Sequence, residues 1–178
     1  KLIKNIRILV SGAAGFIGYH CCKSLLEDNY SVCGIDNLND YYDPKLKVAR
    51  LEQLKSFNNF SFYKIDISNK NELKKVFKSF KPNKVVNLAA QAGVQYSLEN
   101  PYTYMKSNLE GFINIIELCR KQKVDGLIYA SSSSVYGGNT KIPFSEKHKV
   151  DNIYTNKIIE KGVPKRFRIP TNIAKVEN

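Results

Sequence analysis

The 178-residue sequence predicts an α/β fold, a doubly wound parallel sheet with helices on both faces. Three observations predict it. Short apolar, β-rich runs alternate with longer runs of helical spacing. A glycine-rich loop joins the first apolar run to the first helical one. Acidic residues close the second and third β-rich runs, where a parallel sheet would place a ligand.

The elements come in a regular order. "IRILV" (6–10) is a continuous apolar run, the mark of a strand buried on both faces. "FIGYHCCKSLLED" has helical spacing, with Phe16, Ile17, Leu25 and Leu26 expected on its buried face. "SVCGID" (31–36) is a second strand, and the turn at Pro44 opens a helix with Leu46, Leu51 and Leu54 inward. "FSFYKIDI" (60–67) alternates as a third strand, and the Asn-capped "NKNELKKVFKSF" comes next as a helix. "KVVNLAA" (84–90) is a fourth strand, a long helix starts at Pro101, and "GLIYASSSS" (126–134) is a fifth strand entering a loop. The expected organisation is one domain over 1–150, then a basic stretch, 151–178, with no domain of its own.

Composition excludes several classes. Hydrophobic residues at 43% and charged residues at 25% suit a packed core rather than a disordered chain. No apolar run reaches the roughly 18 residues of a membrane span, and no signal-peptide pattern is present, so a cytoplasmic location is expected. The net charge of +12 is uneven: 41–81 carries +6 and 138–178 carries +5, while 1–40 is balanced. Eighteen Asn accompany the lysines, and no recognition motif accompanies the charge. Binding to nucleic acid or an anionic surface is therefore the weakest of the functional readings. Cys21, Cys22, Cys33 and Cys119 lack metal-ligand spacing and read as small buried hydrophobes. With only His20 and His148 available, neither a metal site nor a Ser-His-Asp triad is expected.

The loop "SGAAGFIG" sets Gly12, Gly15 and Gly18 between strand and helix. Gly12 allows the tight turn, Gly15 lets backbone approach a pyrophosphate, and Gly18 lets the helix pack closely on the sheet. The phosphates would sit at the positive end of the helix. Asp36, at the end of the second strand, can accept hydrogen bonds from adenosine ribose hydroxyls. Its charge repels a 2′-phosphate, and no Arg comes after it in "DNLND", so NAD is preferred to NADP. Asp66 marks another carboxyl edge, near adenine, with helix capping as the alternative role. These features define an NAD(P)-binding Rossmann fold.

"SGAAGFIG", "IDNLNDYYDPKLKVARL", "NLAAQAGVQYSLENP", "SNLEGFINIIELCR" and "YASSSSVYGGNTKIPFSE" together resemble the UDP-glucuronate 4-epimerases, from Ile6 to about Asp151. These belong to the extended short-chain dehydrogenase/reductase superfamily of NAD-dependent epimerases and dehydratases. "DNLNDYYDP" and "AAQAGVQYSLENP" are the most specific segments. The resemblance implies that Gly12, Gly15, Phe16, Ile17 and Gly18 hold the NAD pyrophosphate. It implies Asp36 and Asn37 at the ribose, Asp66 and Ile67 beside adenine, and Leu88, Ala89 and Ala90 along the dinucleotide. Asn108 would stand near the cofactor. Ser132 would bond the reacting hydroxyl of a UDP-sugar, with Ser133 the alternative in register. Gln95 stands where the family usually shows Arg. Dehydratases of the superfamily carry an acid pair after the catalytic Ser/Thr, whereas this chain has Ser133 and Ser134, which favours epimerisation. A homodimer through the long helix, by way of Tyr102, Tyr104, Phe112 and Ile116, is a further implication, although core packing competes for most of these residues.

The resemblance weakens from Asn152 onward. The family's catalytic base is a Tyr four residues before a Lys, whereas Tyr154 precedes Lys157 by three. Positions i+3 and i+4 share a helix face, but Tyr154 also arrives about three residues early after "FSE", and misplacement by about 1 Å costs ~100-fold in rate. Pro164 and Pro170 would break any helix between Lys161 and Asn178, and the family's C-terminal substrate domain has no counterpart. The sequence is therefore read as the NAD-binding domain of a nucleotide-sugar 4-epimerase, truncated and impaired in chemistry. The alternative is a dinucleotide-binding relic without catalysis.

Overall fold

The computed structural model describes residues 4–131, 133–136 and 140–148. They fall in two units, Lys1–Leu127 and Ile128–Asn178. The first strand, β1 (Lys4–Ser11), is central because its apolar run must be covered on both faces. Ile8, Leu9 and Val10 are buried, while Ile6 at the strand's start is exposed. β2 (Tyr30–Asp36), β3 (Phe60–Lys64), β4 (Lys84–Asn87) and β5 (Gly126–Tyr129) complete a sheet in the order β3-β2-β1-β4-β5. β1 pairs in parallel with β2 and β4, and β2 in parallel with β3. The direction of winding reverses between β1 and β4, which opens a crevice at their carboxyl ends.

The third, fourth and fifth strands are shorter than the sequence suggests. β3 stops at Lys64 and β4 at Asn87, one residue before the backbone makes its last cross-strand bonds. These run from the Ile65 amide to the Asp36 carbonyl (3.1 Å) and from the Leu88 amide to the Ser11 carbonyl (3.2 Å). Asp66 and Leu88–Ala90 therefore lie in loops at the crevice rather than in the ladder.

Helix α1 (Phe16–Glu27) buries Gly18, Tyr19, Cys22 and Leu26, not the expected Phe16 and Ile17, and leaves Leu25 half-buried. Phe16 and Ile17 occupy its first turn and face outward. Phe16 is instead partly clad by the His20 ring, 4.9 Å away, and the Arg50 guanidinium, 5.8 Å away. Helix α2 (Pro44–Lys55) starts at the Asp43 cap and buries Leu51 and Leu54, with Lys47 in the buried position expected for Leu46. α3 (Lys70–Phe80) is capped by Asn69, as its sequence indicates, and buries Leu73, Val76 and Phe77. Full burial of a Leu- or Phe-sized side chain contributes about 1.5–3 kcal/mol.

A short helix absent from the sequence-based expectation, α4 (Val94–Glu99), precedes the long one. The long helix is continuous but composite: α5 (Pro101–Tyr104), a π-helical stretch (Met105–Gly111) and α6 (Phe112–Lys121). Gly111 is needed where the wide turn passes over Ile67, whose Cγ1 would lie 2.5 Å from a Cβ there. Cys22, Cys33 and Cys119 are buried and free, and burial pushes the Cys33 and Cys119 thiols up to about 12, so they pack as hydrophobes. Cys21 is only half-buried.

Among the described residues of the second unit, a 3-10 turn (Ser133–Tyr136) comes after β5, and the Tyr136 ring stacks on Phe144 at 4.5 Å. Among the described residues no helix is long and apolar enough to cross a membrane.

Candidate functional site

The glycine loop crosses the crevice between β1 and β4. Gly12 has φ +71°, and a Cβ there would meet the Leu88 carbonyl carbon and the Ala89 nitrogen at 2.9 Å. Only glycine permits both the turn and the approach. The Gly15 amide bonds the Gly12 carbonyl (3.0 Å), and the Tyr19 amide bonds the Gly15 carbonyl (3.0 Å), which leads the loop into α1. Gly18 seats α1 on the loop, since a Cβ there would lie 2.7 Å from the Gly12 carbonyl carbon. No side chain caps α1, and its first turn carries no acid. The helix thus presents its leading N–H groups and positive dipole end to an anion.

Asp36 is buried at the end of β2 and ties that strand to the glycine loop. One carboxylate oxygen accepts from the Ala14 amide (3.1 Å), the other from the Leu38 amide (2.8 Å). Each oxygen retains a lone pair for a second donor. Asn37 donates to Asp66 Oδ2 (3.3 Å), and Asp66 Oδ1 accepts from the Ser68 amide (2.9 Å) and hydroxyl (2.7 Å). Lys106 Nζ stands 3.5 Å from the same carboxylate. Partial burial opposes the charge on Asp66, but the Ser68 bonds, the Asn37 amide and Lys106 outweigh it, holding the carboxyl below its ordinary value. Lys47 Nζ donates to the Asn39 carbonyl (2.8 Å) and side-chain oxygen (2.6 Å) and lies 4.6 Å over the Tyr42 ring. Desolvation lowers its ammonium, against the pull of Asp36 and Asp40.

The facing wall is built after β4. The Ser11 hydroxyl donates to Asn87 Oδ1 (2.6 Å) and accepts from the Leu88 and Ala89 amides (3.1 Å each), so the two strand ends are locked together. Asn108, on the π-helical stretch, pairs with the backbone of Gln91 in both directions. Its oxygen accepts from the Gln91 amide (2.8 Å), and its nitrogen donates to the Gln91 carbonyl (2.9 Å).

The result is an open, shallow cleft at the carboxyl ends of the strands. Of the residues proposed from sequence to hold a cofactor, Gly12, Gly15, Asp36, Asn37, Asp66, Ile67, Leu88, Ala89 and Ala90 all line it. Phe16 and Ile17 do not, and Gly18 supports the loop from beneath. Asn108 acts on the wall through Gln91, while its neighbour Ser107 reaches the lining. Sequence reasoning missed Ser11, Lys47, Tyr41 and Gln91; the polar Ser closing an otherwise apolar strand was the one local sign. Ser132, Tyr154 and Lys157 lie outside the described residues. Among the described residues no cluster of three metal-ligating side chains occurs.

Residues 9–154 match the family model described as GDP-mannose 4,6 dehydratase, most of the chain. The chain belongs to that family. Within it, the chain is 51% identical over 146 residues to protein CapI of Staphylococcus aureus, covering 82% of this chain and 43% of the relative. It is 48% identical to the UDP-glucuronate 4-epimerase of Thermodesulfobacterium geofontis, covering 80% of this chain and 44% of that enzyme. Among solved structures, the UDP-glucuronic acid 4-epimerase of Bacillus cereus, in complex with UDP-glucuronic acid and NAD, superposes with a TM-score of 0.72 at 35% identity. That match covers 80% of this chain and 45% of that one. The chain thus spans less than half the length of these relatives, and its matched part shares their fold.

Proposed function

We propose that this chain is the NAD-binding part of a nucleotide-sugar 4-epimerase acting on UDP-glucuronate and UDP-galacturonate. The observation that carries the reading is the convergence of four strand ends on one cleft at the switch point, where Asp36 is bonded to the glycine loop at Ala14. The residues fit NAD. The backbone cradle at Gly12 and Gly15 would hold the pyrophosphate, Asp36 and Asn37 the adenosine ribose, and Asp66 and Ile67 the adenine. Lys47 has two donors already engaged with Asn39, so Asp36 dominates its surroundings and disfavours a 2′-phosphate.

NAD, when bound, supplies the acceptor and later the donor of the C4 hydride. The chain's own residues manage the proton and the sugar. Ser132 is assigned to the reacting hydroxyl and Tyr154 to its proton, with the Lys157 ammonium favouring the phenolate. Loss of proton and hydride together gives a 4-keto sugar, which turns its other face before reduction. The family takes its name from a dehydratase, but Ser133 and Ser134 offer no carboxylic acid to protonate a leaving hydroxyl. Because Tyr154 and Lys157 depart from the family spacing, the 178-residue chain by itself is expected to bind NAD with little or no turnover.

An exposed apolar stripe on the long helix, Tyr102, Met105, Leu109 and Ile113, supports a second copy of the chain as partner. These residues replace the Tyr104, Phe112 and Ile116 suggested by sequence: Phe112 and Ile116 are half-buried, and Tyr104 is directed to the Ala92 carbonyl.

Two measurements test the reading. NAD should raise the melting temperature of the native chain but not of Asp36→Ala, and NADP should do so less. A coupled assay for UDP-galacturonate formation from UDP-glucuronate should show no substantial rate. Absence of any NAD shift in the native chain would remove the cofactor assignment, and brisk turnover would remove the impairment.

A further inference from the structure

The two segments most specific to the epimerase resemblance, "DNLNDYYDP" and "AAQAGVQYSLENP", meet in space. The Tyr41 ring packs against Tyr96 with centroids 5.1 Å apart, and Tyr96 against Tyr104 at 6.3 Å. The Tyr41 hydroxyl lies over Gly93, which has φ +98° and where any Cβ would collide with it. The Tyr104 hydroxyl reaches the Ala92 carbonyl (2.7 Å) and the Gly93 carbonyl. Asn100 donates to the Tyr96 hydroxyl (3.3 Å) and caps α5 with the same side chain, which fixes the middle ring.

This cluster is not core. Tyr41 is 45% exposed, and Tyr96 and Tyr104 are half-buried. Three half-exposed rings that pack on one another, over a glycine seat shaped for one of them, join two loops rather than fill an interior. The loops are the two walls of the cleft. Tyr41 comes after Asp36, Asn37 and Asn39 in one wall, and Ala92 and Gly93 come after Leu88 to Gln91 in the other.

We propose that Tyr41, Tyr96 and Tyr104 form a clasp that keeps the two walls together around a bound dinucleotide and so sets its rate of release. The inference rests on the NAD reading above. Its chemical logic is that an epimerase oxidises and re-reduces the same sugar carbon, so a cofactor that left between the two transfers would strand the 4-keto sugar. Retention then has to come from the walls as well as from contacts to the ligand. Tyr96 and Tyr104 lie outside the lining of the cleft and Tyr41 lines it beside Asn39, so the three are positioning residues and not catalytic ones.

The test is stopped-flow binding and release of NADH, monitored by its fluorescence, on the full 178-residue chain. In Tyr41→Ala and Tyr96→Ala both association and dissociation should accelerate, dissociation by about three- to tenfold, the scale of one lost aromatic pair. Tyr41→Phe keeps the ring and should stay near the native rates. Tyr104→Phe removes only the hydroxyl's hold on the loop and should show a smaller rise, which keeps the test open if a ring deletion fails to fold. A purely structural loss, which weakens affinity without speeding association, would overturn the clasp. Release at the native rate from both ring deletions overturns it too, while leaving NAD binding standing. A native chain that takes up no NADH overturns both.

Discussion

Two of the loops that line the cleft, those after β1 and β4, are built on different principles. The glycine loop after β1 is shaped by backbone, through the Gly15 and Tyr19 amides and the contact of Gly12 with Leu88 and Ala89. Side chains anchor it at Ala14, whose amide meets Asp36 and whose carbonyl meets Tyr42 and Arg50. The loop after β4 is held by side chains that arrive from elsewhere in the chain: Ser11, Asn108, Tyr104 and Tyr41. A loop shaped by its backbone tolerates little change at its glycines. A side-chain-held loop can be released one contact at a time. The first suits a fixed phosphate cradle, and the second suits a wall that must part for a ligand to leave.

The largest effect should come from breaking the backbone-held loop. Gly12→Val places a branched side chain at φ +71° against the Leu88–Ala89 backbone. It should cost about 3 kcal/mol or more in urea unfolding and abolish the NAD thermal shift. A smaller and more local effect is expected from Asn108→Ala. It leaves the Gln91 amide and carbonyl without their partner, at about 1–3 kcal/mol. Amide exchange or limited proteolysis should then open residues 88–93 while residues 12–18 remain protected. Equal opening of both loops would show that they do not behave separately.

The smallest effect concerns the acid network between the walls. Asp66 has its carboxyl below the ordinary value, so its contribution to stability is present above the unfolded pKa of about 4 and is lost as pH falls through the folded one. Asp66→Asn should therefore be less stable than the native chain at neutral pH, and the gap should close as the pH drops below about 4. A gap that persists unchanged in acid would mean that packing, not charge, is what Asp66 supplies.

The same contrast decides how much of the site is legible in the sequence. Gly12, Gly15, Gly18 and Asp36 are legible because their roles arise from local spacing: a strand, a turn, a helix start and an acid at the next strand end. Asp66 and Leu88–Ala90 obey the same rule about carboxyl edges, although the strands stop before them. Asn108 stands out as a candidate, but its pairing with Gln91 does not, because that partner lies on a different element and leaves no periodic trace. Tyr41, Tyr96 and Tyr104 show in the sequence only as parts of motifs or as interface candidates. Lys47 escapes notice because lysine is seldom buried, yet the chain uses it to shape the Asn39 turn. Phe16 and Ile17 mislead in the opposite sense. Apolar residues at helical spacing predict a buried face, but the first turn of α1 belongs to the loop's outer side. Helix α4 is hidden because Gly93 opens it with no capping side chain.

The most direct test of the central claim, that the crevice between β1 and β4 is the dinucleotide site, is hydrogen–deuterium exchange of the native chain with and without NAD. NAD should protect residues 12–18, 36–39 and 88–93 together, and leave unchanged the basic surface around Arg7, Lys78, Lys81 and Lys123 that forms a separate hollow. Protection confined to that basic surface, or none at the glycine loop and Asp36, would contradict the account.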